Sequence, residues 1–205
     1  EMLAGVSHDL KTPLTRLKLQ LAMLDADAAD LEEMRADIVE MERMLDEYLQ
    51  FARGEAGEAP QETDLGGLLL DAAKAVSKAR NSENRIVVSA DEGFVVSIRR
   101  DAIRRCVTNL IDNALKHGKH VEARLSGSGK FAQIVVDDDG PGIPEARREE
   151  AFRPFHRLDE GRNLQTGGVG LGLAIARDIA RAHGGDLVLG NSAMGGLRAI
   201  VRLPT

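Results

Sequence analysis

The chain has 205 residues, of which 27 are basic and 33 acidic, so its formal charge at pH 7 is −6. Hydrophobic residues make up 43% of the sequence and charged residues 29%, which excludes a disordered or fibrous composition. Without a basic run, the acidic chain is not expected to bind nucleic acid directly. No apolar run approaches the ~18 residues of a membrane span, so we expect no membrane contact. The single cysteine, Cys106, excludes an internal disulfide.

Two leucine-rich stretches near the start of the chain carry a helical heptad pattern. The first runs from Leu10 to Leu24 and the second from Leu31 to Ala52, with a polar connector at 25–30 between them. This pattern predicts an antiparallel helical hairpin. Because two helices alone bury too little apolar surface to be stable, it also predicts a homodimer that forms a four-helix bundle.

A glycine-, proline- and acid-rich stretch at 54–64 is typical of a linker and divides the chain into 1–53, 54–64 and 65–205. The predicted elements of the last part, in chain order, are a helix over 65–80 capped by Asp64, strands over 86–89 and 94–98, a helix capped by Asp101, strands over 121–125 and 132–136, a helix over 169–183 that stops at Gly184-Gly185, and strands near 187 and over 199–203. This mixed order predicts a two-layer α/β sandwich, so the whole chain is of the α+β class.

The first chemical motif, Ser7-His8-Asp9-Leu10-Lys11-Thr12-Pro13, lies at the start of the hairpin. A lone histidine there is most simply a surface residue beside a helix-starting proline. Asp9, however, can accept an imidazole proton and leave the other ring nitrogen of His8 free to attack an electrophile. Thr12 lies one helical turn from His8, where its hydroxyl can position a water molecule. Pro13 removes a backbone hydrogen bond and predicts a kink.

The second motif contains Asn109 and Asn113, which are four residues apart and share a helix face with Lys116. Amides are poor helix formers, so two asparagines inside an apolar helix need partners. They either cap neighbouring loops or supply oxygen to a Mg²⁺ held among phosphates, with Lys116 meeting a phosphate directly. These residues alone leave both interpretations open.

The third motif, Asp137-Asp138-Asp139-Gly140-Pro141-Gly142, directly follows a predicted strand. Its three carboxylates repel one another, and its glycines let the backbone turn tightly. The motif is compatible with an acidic turn or a weak calcium loop. Alternatively, one carboxylate accepts the exocyclic amino group of adenine, which would select ATP over GTP.

The fourth motif places Gly168, Gly170 and Gly172 at alternate positions before the last predicted helix. Glycine permits close approach of the backbone to a ligand, and a helix start offers free amide hydrogens to phosphate. A merely flexible loop would carry the same glycines. Before them stand Phe152-Arg153-Pro154-Phe155 and a long polar stretch to Thr166, a length typical of a functional lid or of disorder.

Together and in this order, the motifs resemble the transmitter region of sensor histidine kinases, and the match covers essentially the whole chain. The corresponding boxes are the H box at His8, the N box from Asn109, the G1 box at 138–142, the F box at 152–155 and the G2 box at 168–172. The segment Leu14-Thr15-Arg16-Leu17 makes the chain most similar to the EnvZ osmosensor type. Lys11 stands where the family more often has arginine, which is also basic.

This resemblance implies a protein histidine kinase with a dimerisation and phosphotransfer domain followed by a catalytic domain of the Bergerat fold. His8 would attack the γ-phosphate of ATP, with Asp9 as general base or orienting group. Thr12 would orient water for dephosphorylation of a response regulator. The implied nucleotide-binding residues are Asn109, Asn113, Lys116, His117, Asp138, Gly140, Gly142, Gly168, Gly170 and Gly172, with Asn113 holding Mg²⁺, Asp138 recognising adenine, and Arg157 and Arg162 as candidates for neutralising γ-phosphate charge.

The implied partners are a second copy, bound through the hairpin, and the receiver domain of a response regulator, whose aspartate accepts the phosphoryl group. We expect a cytoplasmic fragment of an inner-membrane-anchored bacterial receptor, because the helix begins only seven positions before His8. One competing interpretation is a topoisomerase or MutL-type ATPase, which lacks the His-Asp-x-x-Thr hairpin. Another is a non-catalytic dimerisation and nucleotide-sensing module, which would require a broken box.

Overall fold

The chain divides into two compact units, Glu1–Ala56 and Gly57–Thr205. The computed structural model describes residues 16, 17, 19–21, 31, 32, 34, 35, 38, 39, 41, 58–80, 85–128, 130–156 and 170–205. The helices and strands of the second unit, in chain order, are β1 (Gln61–Asp64), α1 (Leu65–Arg80), β2 (Ile86–Ala90), β3 (Val95–Ile98), α2 (Arg100–His117), β4 (Val121–Ser128), β5 (Phe131–Asp138), α3 (Gly172–Ala182), β6 (Asp186–Asn191) and β7 (Leu197–Pro204), with short 3-10 turns at Glu145–Arg147 and Glu150–Phe152.

In the first unit, the described residues between 16 and 41 are helical. Leu21 and Ile38, one from each predicted heptad seam, are buried, and Leu31 packs against them. Leu17 and Met34 also belong to these seams, but 45% and 49% of their surfaces remain exposed. A single chain therefore covers only part of the apolar seam among these residues.

The second unit is a sandwich of a five-stranded sheet and one layer of helices, and β1 and β3 form a separate two-stranded sheet. The larger sheet has the strand order β2-β4-β5-β7-β6, with β2 parallel to β4 and the other neighbours antiparallel. Alternate residues of β5 and β7 are buried, as expected for strands with one face on the core. The helix α2 packs against both α1 and α3, and all three helices pack against this face. The predicted α+β class and two-layer sandwich are confirmed.

The starts of α1 and α2 use different caps. The two carboxylate oxygens of Asp64 accept the backbone N–H groups of Gly66 and Gly67 at 3.0 and 3.1 Å, which confirms the predicted cap of α1. The predicted cap of α2 is wrong, because Asp101 lies inside the first turn of that helix. Glu58 instead accepts the N–H of Asp101 at 2.7 Å, from 43 positions earlier in the chain.

The range predicted as a linker, 54–64, ends in a strand. Residues 61–64 form β1, which pairs antiparallel with β3 from Gln61↔Ile98 to Asp64↔Val95. Of its four residues only Thr63 is buried, so β1 has none of the apolar alternation that usually indicates a strand. Within the described ranges, no helix has the length and apolar character needed to cross a membrane.

Candidate functional site

The N-box residues lie on the polar side of α2, opposite the core. Ile103 and Ile111 are fully buried on the other side, whereas Asn109 and Asn113 are half-buried. Asn109 donates from Nδ2 to the backbone oxygen of Gly172 at 3.5 Å, which joins the N box to the start of α3. No hydrogen bond to the Asn113 side chain is found among the described residues. Its amide is therefore available to a ligand.

Lys116 already forms an ion pair with a neighbouring side chain. Its Nζ lies 2.8 Å from Oδ2 of Asp112, one helical turn earlier, and Oδ1 of Asp112 pairs with Nε of Arg80 at the end of α1. Burial alone would raise the pKa of Asp112, but hydrogen bonds from Arg80 and Lys116 hold it below its ordinary value. A ligand must therefore compete with Asp112 for Lys116. The four-residue spacing of Asp112 and Lys116 was visible in the sequence, whereas the role of Arg80 was not.

The turn after α2 is fixed from two sides. Arg85 donates to the backbone oxygens of Gly118 and Lys119 at 2.5 and 2.7 Å. Asp139 accepts the backbone N–H groups of Lys119 and His120 at 2.5 and 2.9 Å and also contacts His120 Nδ1. Hydrogen bonds from the backbone and then the ring of His120 lower the pKa of Asp139 to about 2. The last N-box residue, His117, stands exposed at this anchored helix end.

The three adjacent aspartates at 137–139, of which the last two belong to the G1 box, point in different directions at the end of β5. Asp137 lies on the outer side of the sheet, where Arg124 and Arg198 donate to it at 2.6 and 2.8 Å. Successive strand residues point to opposite faces, so Asp138 turns into the interior, and Asp139 holds the turn described above. This separation relieves their repulsion and argues against a shared calcium loop.

Asp138 is the buried carboxylate of the site, with only 2% of its surface exposed. Its Oδ1 accepts the backbone N–H groups of Gly140 and Leu197 at 2.8 and 3.1 Å. Burial raises the pKa of Asp138 despite these two hydrogen bonds and the nearby charge of His117. All the hydrogen bonds described for this side chain end on Oδ1, so Oδ2 can accept a donor from a ligand. A surface acidic turn does not explain a carboxylate buried in this way.

Glycines pack closely around Asp138. A Cβ on Gly140 would lie 2.7 Å from the backbone oxygen of His117, and Gly142 has a φ of +68°, which disfavours other residues. A Cβ on Gly196 would lie 2.5 Å from the nitrogen of Gly140 and still closer to the Asp138 carboxylate. Gly196 was not among the predicted site residues. The glycine pair before β7 was its only sequence signal.

The F and G2 boxes meet beside α3. The Arg177 guanidinium lies 4.1 Å from the centre of the Phe152 ring and donates to Glu149 at 2.8 Å, so it holds the F box on this helix. Gly170 has a φ of +77°, and a Cβ there would lie 2.9 Å from the backbone oxygen of His156. The described ends of the two boxes are therefore in contact.

Two family models match the chain. Residues 98–205 match the histidine kinase-, DNA gyrase B- and HSP90-like ATPases. Residues 1–57 match the His kinase A phospho-acceptor domain. The chain belongs to the sensor histidine kinases. Its predicted resemblance to their transmitter region is thereby confirmed, and the phospho-acceptor and ATPase regions follow one another in the predicted order.

Named relatives and solved structures agree with this membership. The histidine kinase chain is 36% identical over 205 residues to the sensor histidine kinase GtrS of Pseudomonas aeruginosa, covering 100% of this chain and 41% of that protein. It is 35% identical over 203 residues to the sensor protein RstB of Escherichia coli K12, covering 97% of this chain and 47% of RstB. The chain thus spans about half the length of these relatives.

Among solved structures, full-length ShkA in complex with AMPPNP shares 25% identity with the kinase chain at a TM-score of 0.75, covering 100% of this chain and 45% of ShkA. The ATP-binding domain of PrrB from Mycobacterium tuberculosis shares 30% identity at a TM-score of 0.56, covering 71% of this chain and 96% of that domain. Both likenesses agree with the fold described above.

The histidine kinase structure brings together the described residues of four boxes. Asn109 meets Gly172, Gly140 packs on the backbone of His117, and Gly170 contacts the end of the F box. The remaining predicted site residues, His8, Asp9, Thr12, Gly168, Arg157 and Arg162, lie outside the described residues. Sequence reasoning did not assign the structural roles of the residues that hold these boxes in place, namely Arg80, Arg85, Asp112, Asp139, Arg177 and Gly196.

Proposed function

We propose that this chain is the catalytic core of a two-component receptor. It uses ATP to phosphorylate His8, passes the phosphoryl group to an aspartate of a response-regulator receiver domain, and dephosphorylates that regulator. The observation that supports the proposal is the buried Asp138 carboxylate, beside which Gly140 packs on the backbone of His117 at the end of α2. Asn109 of the same helix bonds to the backbone of Gly172 in the G2 box. The match of residues 1–57 to a phospho-acceptor domain favours a kinase over other ATPases of the superfamily.

In this proposal the residues of the N, G1 and G2 boxes bind and orient ATP. Oδ2 of Asp138 accepts the adenine amino group, with Gly140 and Gly142 shaping the pocket around it. Asn109, Lys116 and His117 line the nucleotide, while Gly168, Gly170 and Gly172 approach its phosphates. Asp9 draws the proton from one ring nitrogen of His8, and the other nitrogen attacks the γ-phosphorus as the bond to the β,γ-bridging oxygen breaks and ADP leaves.

A magnesium ion fits the donor set of the site. The half-buried Asn113 amide offers a hard oxygen ligand, and Mg²⁺ usually takes few protein ligands because it keeps waters and phosphate oxygens around it. Asn113 is therefore the residue that would hold it. When bound, the ion neutralises charge on the phosphate oxygens.

We also propose a homodimer formed through the hairpin, with a phosphotransfer domain at 1–53, a linker that begins at 54 and a catalytic domain that runs to 205. The predicted linker of 54–64 ends before β1, because residues 61–64 pair with β3 of the catalytic domain. Support comes from Leu17, Met34 and Met41, which lie at seam positions and are 45%, 49% and 48% exposed in one copy. A second copy would cover them.

We place the chain in the cytoplasm, as part of a membrane-anchored receptor, because ATP and the regulator are available there.

Thr12→Ala tests the phosphatase half of the proposal. We expect dephosphorylation of the regulator to fall about 100-fold, because the attacking water loses the hydroxyl that orients it. His8 should still be phosphorylated at the wild-type rate. The substrate is the receiver domain that accepts phosphate fastest in a transfer screen. We label this domain with phosphate, add the kinase and ADP, and measure how fast the label is lost.

Thr15→Ala is the matched control, because it removes a threonine from the same predicted helix three positions later. This variant should dephosphorylate the regulator like the wild type. Equal rates for Thr12→Ala and wild type would contradict the role of Thr12.

A further inference from the structure

One carboxylate at the boundary between α1 and α2 is shared by two cations. Oδ1 of Asp112 pairs with Nε of Arg80, and Oδ2 lies 2.8 Å from Nζ of Lys116. The side chains of Arg80, Asp112 and Lys116 are 37%, 30% and 20% exposed, so water screens them only in part. Arg80 comes from another helix, 32 positions earlier in the chain.

The shared carboxylate lies on the helix face that carries the N box. Asn109, Asn113 and Lys116 follow one another at steps of four and three along α2, and Asp112 flanks them on the side of Arg80. Phosphate held at this face would compete with Oδ2 of Asp112 for Lys116. It would also be repelled by the Asp112 charge unless another cation neutralised that charge.

We propose that Arg80 and Asp112 are positioning residues that set the affinity of Lys116 for the nucleotide phosphates in opposite directions. Asp112 keeps Lys116 in an ion pair and thereby lowers its affinity for the phosphates. Arg80 weakens that hold by sharing the carboxylate, and it keeps Asp112 paired after Lys116 turns to the phosphates. This inference rests on the proposed function, because it requires Lys116 to meet phosphate.

The opposite directions separate this account from an ordinary ion pair. If the Arg80–Asp112 contact only joined α1 to α2, removing either partner would disturb the same contact and change ATP affinity in the same direction. If Arg80 and Asp112 act through Lys116, removing the cation weakens ATP binding and removing the carboxylate strengthens it. Both substitutions lower the unfolding temperature in either case, so only the affinities discriminate.

The test measures the dissociation constants of Mg-ATP and adenosine by calorimetry with the full chain. We expect Arg80→Gln to weaken ATP binding about threefold and Asp112→Asn to strengthen it about twofold, the size expected for partly exposed charges. Both changes should shrink at high salt, because the groups are screened there. Adenosine affinity should not change in either variant, because adenosine lacks phosphates.

Two further variants control for net charge and for geometry. Lys78→Gln removes one positive charge from an exposed position in the last turn of the same helix and should leave ATP affinity unchanged. Arg80→Lys keeps a cation and should restore most of the affinity lost in Arg80→Gln.

Three outcomes would overturn the inference. These are a change of ATP affinity in the same direction in Arg80→Gln and Asp112→Asn, an equal loss in Lys78→Gln, and an equal effect on adenosine. A wild-type chain that does not bind ATP would instead overturn the proposed function, and the inference with it.

Discussion

Replacing Gly196 with alanine is expected to abolish detectable ATP binding. The added Cβ would lie 2.5 Å from the nitrogen of Gly140 and closer still to the carboxylate and backbone oxygen of Asp138. These are mostly backbone atoms at the end of β5, so they cannot move without breaking the hydrogen bonds that Asp138 receives from Gly140 and Leu197. Overpacking of this kind costs about 1 to 3 kcal/mol, and the lost hydrogen bonds add about 1 to 3 kcal/mol.

The measurement is ATP affinity by calorimetry, together with the free energy of unfolding. Gly190→Ala is the matched control, because it adds the same atom to β6 of the same sheet, where the nearest neighbour would be Arg198 Cβ at 4.0 Å. This control should bind ATP like the wild type. Wild-type ATP affinity in Gly196→Ala would show that the nucleotide does not use the pocket around Asp138.

Asp138→Asn is expected to lose ATP affinity while keeping the fold. The amide oxygen can still accept the backbone N–H groups of Gly140 and Leu197, but the atom in place of Oδ2 becomes a donor and faces the adenine amino group, which is also a donor. Losing a hydrogen bond to a charged group predicts a roughly 10- to 100-fold weaker affinity. Competition of ATP and GTP for a fluorescent nucleotide measures this, and the preference for ATP should disappear.

The raised pKa of Asp138 predicts how the free energy of unfolding changes with pH. Burial raises this pKa above its ordinary value of 3.8, so the folded state holds the carboxyl proton more tightly than the unfolded state does. The free energy of unfolding therefore falls as the pH rises from 3.8 through the raised pKa, and it is lowest once the carboxyl group is ionised. Asparagine has no charge to bury. We expect the unfolding temperature of Asp138→Asn at pH 7 to equal or exceed that of the wild type.

Asp137→Asn is the matched control and should show the reverse pattern. Asp137 is buried between Arg124 and Arg198 on the outer side of the sheet, so neutralising it leaves two arginines without their shared partner. We expect a loss of about 1 to 3 kcal/mol in stability and unchanged ATP affinity. Wild-type ATP affinity in Asp138→Asn, or a loss of affinity in Asp137→Asn, would contradict the assignment of the adenine site.

Local signals predicted much of this fold. The bounds of α1 follow from a capping aspartate and an apolar helical face, and both signals lie within the helix or beside it. The end of α3 follows from Gly184, whose φ of +74° few other residues adopt. The motifs placed Asn109, Asp138 and Gly172 in one site because each has a recognisable local spacing.

The features that sequence reasoning missed depend on residues far apart in the chain. Glu58 caps α2 from 43 positions away, which no local pattern indicates. Arg80 reaches Asp112 from a different helix. The need for glycine at 196 arises only where the start of β7 crosses the end of β5. The polar strand β1 was missed because it is stabilised by pairing with β3 rather than by an apolar face.

The central claim is that this chain transfers phosphate from ATP to His8, and incubation with γ-labelled Mg-ATP tests it most directly. We expect label on the wild-type chain that is lost in mild acid and retained in base, as for a phosphoramidate on imidazole. His8→Gln should bind ATP but take up no label, whereas His120→Gln should still be labelled. Label that survives mild acid, or label on His8→Gln, would contradict the account.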